Sequence, residues 1–319
     1  MSVKIVVGIM AYKKEGWILF RHINVLTLRA TFEAIGYGQL PPYLGSTIRG
    51  VLGHCLRDFV CPHPEVKCHL CEISKQCAYA QNFCSPGHVA GSVNPFVIRS
   101  LTKDKINWSP GDTCQFEITL IGKSSEQAGL FVDAFQEMQF RGWGARRLPF
   151  KLIQVIDPIR KTLIWHDGKL WLRNCQPEPL ICEERRARTA VVHFESPVRI
   201  LVSRKLRQSL SFADLIQSIT RRISLLSHAF TGHKLEWDEE AMLRDANRIK
   251  TTAQQWRTVH FSRYSMNRAD KLELPAIEGW ARYEGDLTPF TPILAAGERL
   301  HVGKNPTIGF GYFQVIYDQ

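Results

Sequence analysis

The sequence predicts an α+β chain in which one order of secondary structure is used twice. Three observations carry the prediction. Each half of the chain runs through strand, helix, strand, strand, helix, glycine-rich basic loop and strand. Residues 174–188 (NCQPEPLICEERRAR) form a polar, proline-bearing and charged stretch where a domain junction is expected. The 319 residues exceed the roughly 150 expected of one ordinary domain, and a hydrophobic content of 45% is enough for two cores. The repeated order is the βαββαβ, ferredoxin-like unit. Two such domains are therefore expected in tandem, at 1–175 with a cysteine-rich insertion at 61–84, and at 188–319 with a glycine-rich loop near the end.

In the first half, a strand is expected over 17–32 (WILFRHINVLTLRATF), where β-branched and aromatic residues dominate. After a loop at 36–45, Ser46 reads as the N-cap of a helix over 47–60, with Ile48, Val51, Leu52, Cys55, Leu56 and Phe59 on its core face. Arg49, Gly53 and Arg57 form one row of the opposite face, and Gly50, His54 and Asp58 form the next. A glycine inside a helix costs about 1 kcal/mol relative to alanine, so something is expected to approach the helix backbone here. An ordinary solvated face is the alternative. A strand at 95–101 has the weaker pattern, whereas 113–121 alternates, with Cys114, Phe116, Ile118 and Leu120 inward and Gln115, Glu117 and Thr119 outward. Ser124 and Gln127 resemble a capping box for a helix through Met138, with Phe131, Ala134, Phe135 and Met138 toward the core. A glycine-rich loop from Gly142 carries Arg146 and Arg147 into a strand at 148–156, and a hairpin over 162–173 turns at Asp167 and Gly168.

In the second half, a strand opens at Thr189 and ends near Pro197. A helix over 212–230 carries Phe212, Leu215, Ile216, Ile219, Ile223, Leu226 and Phe230 in one stripe, with Arg221 opposite. Strands over 254–264 and 276–285 interleave Trp256, Phe261, Tyr264, Trp280 and Tyr283 with Arg257, Arg263 and Arg282. Thr288 and Pro289 start a last short helix. The tail, HVGKNPTIGFGYFQVIY over 301–317, sets Gly303, Gly309 and Gly311 around Lys304 and runs into a final strand. Glycine permits positive φ and close approach of a ligand backbone, and clustered N–H groups beside a lysine seat an anion. The pattern is neither a P-loop, since Asn305 follows Lys304, nor a Rossmann fingerprint, since a strand follows the glycines. A hairpin that merely turns the chain is the plainer alternative.

Lys and Arg outnumber Asp and Glu by 41 to 30, a net charge of +11. That balance favours a polyanionic partner, with nucleic acid ahead of an acidic membrane surface. Aromatic and arginine side chains interleaved on an RRM-like sheet suit base stacking and phosphate contact, while inward aromatics with solvated arginines are the alternative. There is no apolar run of about 18 residues and no convincing signal-peptide pattern, so a cytoplasmic protein without a membrane partner is expected. Cys61, Cys68, Cys71 and Cys77 are spaced C-x6-C-x2-C-x5-C, with His63 and His69 nearby. Four thiolates around a central CxxC suit a structural zinc site, and an iron–sulfur cluster takes the same ligands. Reduced cysteines without metal are the alternative. Such a site leaves no open position for substrate, so no catalytic cofactor is expected.

The segments LPPYLGSTIRGVLGHCLRDFVC, the cysteine cluster ending in CAY, FSRYS and above all LTPFTPILAAGERLHVGKNPTIGFGYFQV resemble the CRISPR repeat-processing endoribonucleases of the RAMP superfamily. The resemblance extends over most of the chain and is most specific in the tail. It implies paired ferredoxin-like domains, a glycine-rich loop near the RNA, and metal-independent cleavage of CRISPR repeat RNA within precursor transcripts to give guide crRNAs. The RNA's own 2′-hydroxyl would attack the adjacent phosphate and leave a 2′,3′-cyclic phosphate. In that family a catalytic histidine commonly lies in or near the first helix, and His54 is the residue that fits.

That chemistry needs a base for the 2′-hydroxyl, an acid for the departing 5′-oxygen and cations for the phosphorane charge. His54 with Arg49 and Arg57 is the first candidate constellation, and His301 with Lys304 is the second. RNA contacts are expected from Arg49, Arg57, Arg146, Arg147, Arg263, Gly303, Lys304, Gly309 and Gly311, with Tyr264 in support. A crRNA-binding RAMP subunit of a CRISPR effector complex, without cleavage activity, is the alternative. A metal-dependent nuclease or redox protein using the cysteines is more distant, because thiolate ligands without a carboxylate cluster do not suit that chemistry.

Overall fold

The computed structural model describes residues 4–7, 20–84, 93–265 and 270–318, with the side chains of 4–7, 263–265, 270 and 271 outside that description. The expected opening of the first strand at 17–19, and the side chains of Arg263 and Tyr264, therefore lie outside the described residues. The chain divides into two compact units. An N-terminal unit comprises Asn24–Glu178 and Thr307–Gly309, and a C-terminal unit comprises Pro179–Pro306 and Phe310–Gln319 with the segment up to Ile23.

The N-terminal unit runs β1 (Asn24–Ala34), α1 (Gly45–Val60), α2 (Ala78–Phe83), β2 (Phe96–Ser100), β3 (Thr113–Ile121), α3 (Ala128–Arg141), β4 (Phe150–Asp157), β5 (Thr162–His166) and β6 (Lys169–Leu170). Its sheet has the order β2-β3-β1-β4-β5-β6. The pairings are antiparallel. One buried cluster joins Leu28 and Phe32 of β1, Leu52 and Leu56 of α1, and Phe131 and Phe135 of α3. The inward residues of β3 lie in this core as the alternation requires. On the other face Glu117 takes Arg29 at 2.6 Å and Arg99 at 3.4 Å, so neighbouring strands are also tied by charge.

Three local expectations fail, each because tertiary contact replaces a local signal. The helix α1 starts at Gly45 behind Leu44, with no side-chain cap, so Ser46 lies within the first turn. A Cβ on Gly45 would stand 1.9 Å from the Ile308 carbonyl oxygen, and this approach fixes the helix start. Phe59 is 56% exposed, because the last turn runs past the core that covers the rest of the stripe. Residues Gly122–Gln127 form a 3-10 turn without a capping box. Ser124 Oγ instead donates to Asn82 Oδ1 of α2.

The C-terminal unit runs β7 (Thr189–Phe194), α4 (Phe212–Thr231), α5 (Glu239–Ala246), β8 (Lys250–Ser265), β9 (Asp270–Glu284), α6 (Thr291–Leu300) and β10 (Phe313–Tyr317). Its sheet order, β8-β9-β7-β10, repeats the order β2-β3-β1-β4 of the first unit. The fold is thus the βαββαβ unit used twice. The strand β7 stops short of Pro197, and β8 and β9 are longer than the pattern suggests, pairing from Lys250 and Glu284 to Ser265 and Asp270. Phe212, Leu215, Ile216, Ile219, Ile223 and Leu226 of α4 are buried as expected. The helix α5 was not expected, although its signal is present: Asp238 caps it by accepting from the Ala241 N–H, and Glu239 and Glu240 occupy its first turn. Among the described residues no helix is long and apolar enough to cross a membrane.

Candidate functional site

The outer face of α1 separates into two rows with different surroundings. A Cβ on Gly53 would lie 2.9 Å from the Phe83 ring, so α2 occupies that approach. Arg49 stacks 5.3 Å from the Phe83 centroid, and Arg57 lies 5.8 Å from the Tyr79 centroid while donating to the Pro64 carbonyl. The Arg49, Gly53 and Arg57 row therefore faces the cysteine-rich insertion. The neighbouring row is open: a Cβ on Gly50 would meet nothing within 4 Å.

His54 lies on this open row, half-buried. Asp58, one turn on, is paired with Arg141 of α3. Among the described residues no hydrogen bond orients the His54 ring. Burial holds its pKa below the ordinary histidine value; Arg141 and Arg57 push the same way, and Asp58 opposes them. The imidazole is therefore neutral near pH 7, the form that accepts a proton.

The tail loop behaves differently. His301 is 3% exposed and its Nδ1–H donates to the Phe310 carbonyl at 3.1 Å, with the ring 5.3 Å from Tyr312. It adopts φ +58° at the end of α6, a left-handed value that a side chain rarely takes. A Cβ on Gly303 would lie 2.6 Å from the Arg199 carbonyl oxygen, and one on Gly311 would lie 1.9 Å from that of Val302. Gly309 is likewise filled, with the Tyr43 hydroxyl 2.7 Å from its Cβ position. The close approaches that these glycines permit are taken by the protein's own chain. The Gly311 N–H is also used, donating to the Pro197 carbonyl at 2.8 Å. His301 and Lys304 do not share an open face, since His301 points inward and Lys304 is exposed.

Lys304 instead belongs with two arginines that the sequence pattern did not single out as ligands. Partial desolvation of its ammonium group lowers its pKa, and the neighbouring guanidinium groups of Arg221 and Arg199 lower it further. The Lys304 N–H donates to the Arg199 carbonyl at 2.8 Å, and Arg199 Nε donates to the Pro275 carbonyl at 3.1 Å. Among the described residues Lys304 and Arg221 form no ion pair. Behind them Arg222 is fully buried, its Nε donating to the Leu300 carbonyl at 2.7 Å, and burial lowers its pKa to about 9. The signal for this group was the Arg221–Arg222 doublet in α4, of which the amphipathic pattern registered only the outward member.

Arg146 and Arg147 occupy the exposed tip of the loop after α3. Paired backbone bonds between Trp143 and Leu148 close the turn, and buried Trp143 packs 4.9 Å from Phe32 and 4.6 Å from Phe150. On β8 and β9 Trp256, Phe261 and Trp280 are half-buried, whereas other members of the interleaved pattern are engaged within the fold. Tyr283 is buried with its hydroxyl on the Leu210 carbonyl, Arg257 pairs with Glu278 at 2.6 Å, and Arg282 pairs with Asp318 at 2.7 Å. A cavity of about 210 Å³ in the C-terminal unit is lined by Asp238, Asp245 and Asp286 against a single Arg248, the wrong sign for phosphate.

Residues 192–313 match the family described as CRISPR-associated endoribonuclease Cas6, and residues 23–179 match the N-terminal domain family AF_1859_N. The Cas6 match thus lies in the second half of the chain. No curated protein sequence matches it. Among solved structures, a partial Cas6-RT-Cas1–Cas2 complex superposes with a TM-score of 0.60 at 12% identity, over 93% of this chain and 46% of that one. A Cas6-RT-Cas1–Cas2 complex gives the same TM-score and identity over 93% of this chain and 29% of that one. Thermus thermophilus Cas6 superposes with a TM-score of 0.56 at 11% identity, over 92% of this chain and 99% of that one. The chain thus spans less than half of the Cas6-RT-Cas1–Cas2 chains and nearly the whole of the Thermus protein. The likeness is one of fold, the tandem ferredoxin-like arrangement.

Proposed function

We propose that this protein is a Cas6-type, metal-independent endoribonuclease that cuts CRISPR repeat RNA within precursor transcripts to give guide crRNAs. The observation that carries the reading is the open row of α1, where a half-buried, neutral His54 stands one turn from a glycine with free space above it. A neutral imidazole there takes the proton from the RNA 2′-hydroxyl. The 2′-oxygen bonds to the adjacent phosphorus, the bond to the 5′-oxygen breaks, and the departing oxygen is protonated, leaving a 2′,3′-cyclic phosphate. Arg141, the cation with the largest effect on His54, is suited to the charge that develops on phosphorus. Lys304, Arg221 and Arg199 on one unit, and Arg146 and Arg147 on the other, supply cations for the RNA backbone. His301 is assigned to the structure of the tail loop. The setting is cytoplasmic, and the partners are the repeat RNA, its crRNA product and subunits of a CRISPR effector complex.

A second reading, a crRNA-binding subunit without cleavage, draws on the lack of any hydrogen bond that orients the His54 ring among the described residues. End-labelled repeat RNA incubated with the purified protein in excess EDTA separates the two. A single cut that persists in EDTA and disappears when the nucleotide at the cut is 2′-deoxy supports cleavage by the RNA's own hydroxyl. Tight binding without a cut supports the binding subunit, and neither binding nor cutting removes both.

A further inference from the structure

The cavity of about 210 Å³ in the C-terminal unit lies between α5 and the start of α6, and nothing in the RNA chemistry uses it. Its inner wall is apolar, with Met242 of α5, Ile249, Phe290 and Ile293 all buried. Trp237 completes that wall, its Nε1–H donating to Ser224 Oγ of α4 at 2.6 Å. Phe290 is held edge-on against Phe212 of α4, with ring centroids 5.2 Å apart. Two aromatic members of the wall are thus fixed from behind, and the cavity is pre-formed.

The mouth is charged. Asp245 is met by Arg248 at 3.0 Å. Asp238 accepts the Ala241 N–H at 3.0 Å as the cap of α5, and Asp286 is exposed. Among the described residues neither Asp238 nor Asp286 is paired with a cation. In a chain of net charge +11, two unmatched carboxylates over an apolar wall reverse the local sign. The carboxylates are spread around the mouth, since among the described residues no three His, Cys, Asp or Glu side chains are placed to hold one metal ion. The same holds for Cys61, Cys68, Cys71 and Cys77, which are free thiols and do not assemble into the expected four-thiolate site. The matching ligand is therefore an extended group, apolar at its centre and cationic at its edges.

We propose that this cavity is a docking site for a segment of a partner protein, taking one phenyl-bearing side chain flanked in its own chain by Lys or Arg. A cavity of about 150 Å³ already admits a benzene-sized ring, whereas pockets for free small molecules run from about 300 Å³ upward. One aromatic anchor in a pre-formed pocket is the usual centre of a protein interface, and rim carboxylates select its neighbours by charge. Two copies of this chain, each at +11, repel, so the segment comes from a different protein. The proposal does not depend on the cleavage reading, because none of these residues belongs to the His54 or Lys304 groups.

The test is ligand-observed NMR titration of the full chain with three end-blocked peptides, Gly-Lys-Phe-Lys-Gly, Gly-Glu-Phe-Glu-Gly and Gly-Lys-Gly-Lys-Gly. The first is expected to bind, and the other two at least about tenfold more weakly, for want of the cations or of the ring. Asp238→Asn combined with Asp286→Asn removes both unmatched charges while keeping a residue that caps a helix. It should weaken the first peptide about fivefold and leave repeat-RNA cleavage and the thermal melt unchanged. Should the double variant fail to fold, Asp286→Asn alone carries the test, with a loss of about twofold. No binding of the first peptide, equal binding of all three, or an affinity unchanged by the substitutions would each overturn the proposal. Self-association by light scattering that the substitutions abolish would give the mouth to a second copy and overturn it as well.

Discussion

His54 and His301 are the same residue type beside glycines and cations, yet their surroundings differ in kind. The ring of His54 stands half-open on a helix face where Gly50 leaves space, and its neighbours act on it through charge. The ring of His301 is closed in, with its Nδ1–H committed to the Phe310 carbonyl. A catalytic imidazole needs a substrate path and a free proton site; a structural one needs a fixed partner. Substituting each separately is the sharpest way to break the comparison. His54→Ala is expected to lower the single-turnover cleavage rate by about 10²–10⁴, with RNA affinity nearly unchanged. His301→Ala is expected to leave the chemical step near wild type and to lower stability by about 1–3 kcal/mol, because the buried hydrogen bond from Nδ1–H to the Phe310 carbonyl is lost. Denaturant midpoints and single-turnover rates measured side by side decide it, and reversed phenotypes would exchange the two roles.

The protonation state of His54 gives a second test. Its pKa lies below the ordinary 6.5, so the neutral base form persists to lower pH. The cleavage rate should therefore rise with pH through a midpoint below about 6.5 and be level at neutrality, and a midpoint above that value would contradict a burial-lowered base. The same shift makes a contribution to stability that is present above about pH 6.5 and is lost as pH falls toward the folded-state pKa.

Gly50 and Gly53 repeat the contrast on a smaller scale. Gly53→Ala pushes a methyl against Phe83, whose ring is held 5.4 Å from Tyr79 and 5.0 Å from Phe96, so stability should fall by about 1 kcal/mol despite the better helix propensity. Gly50→Ala meets no atom and should raise stability by up to about 1 kcal/mol. A thermal melt of both variants is enough: equal changes would mean that the two rows do not differ.

These pairs also show what was legible in the sequence. The alternation of β3, the stripe of α4 and the turn at Asp167 and Gly168, with φ of 45° and 77°, are local patterns, and the fold follows from them. The two glycines of α1 were legible as unusual but not as different, because the ring that fills one of them arrives from α2. Ser46 and Ser124 carried valid capping chemistry, yet Gly45 under Ile308 and Asn82 beside Ser124 decided those helix starts. His301 could not be told from His54 on the same grounds, since its partner carbonyl is supplied by the returning loop.

The smallest effect concerns the cations that pairing leaves unused. Arg257 and Arg282 are matched by carboxylates on the sheet, whereas Lys304 and Arg221 gather without one. Like charges held together raise the local potential, and a phosphate that enters releases counterions in proportion to the contacts it makes. Lys304→Ala and Arg221→Ala should each weaken RNA binding and reduce the slope of log affinity against log salt by roughly 0.7, the single-strand value for one phosphate. Arg257→Ala should leave the slope unchanged, because its charge is already met by Glu278. Equal slopes for all three variants would show that formal charge alone attracts the RNA; a difference confined to Lys304 and Arg221 would show that pairing within the fold selects which cations are available to it.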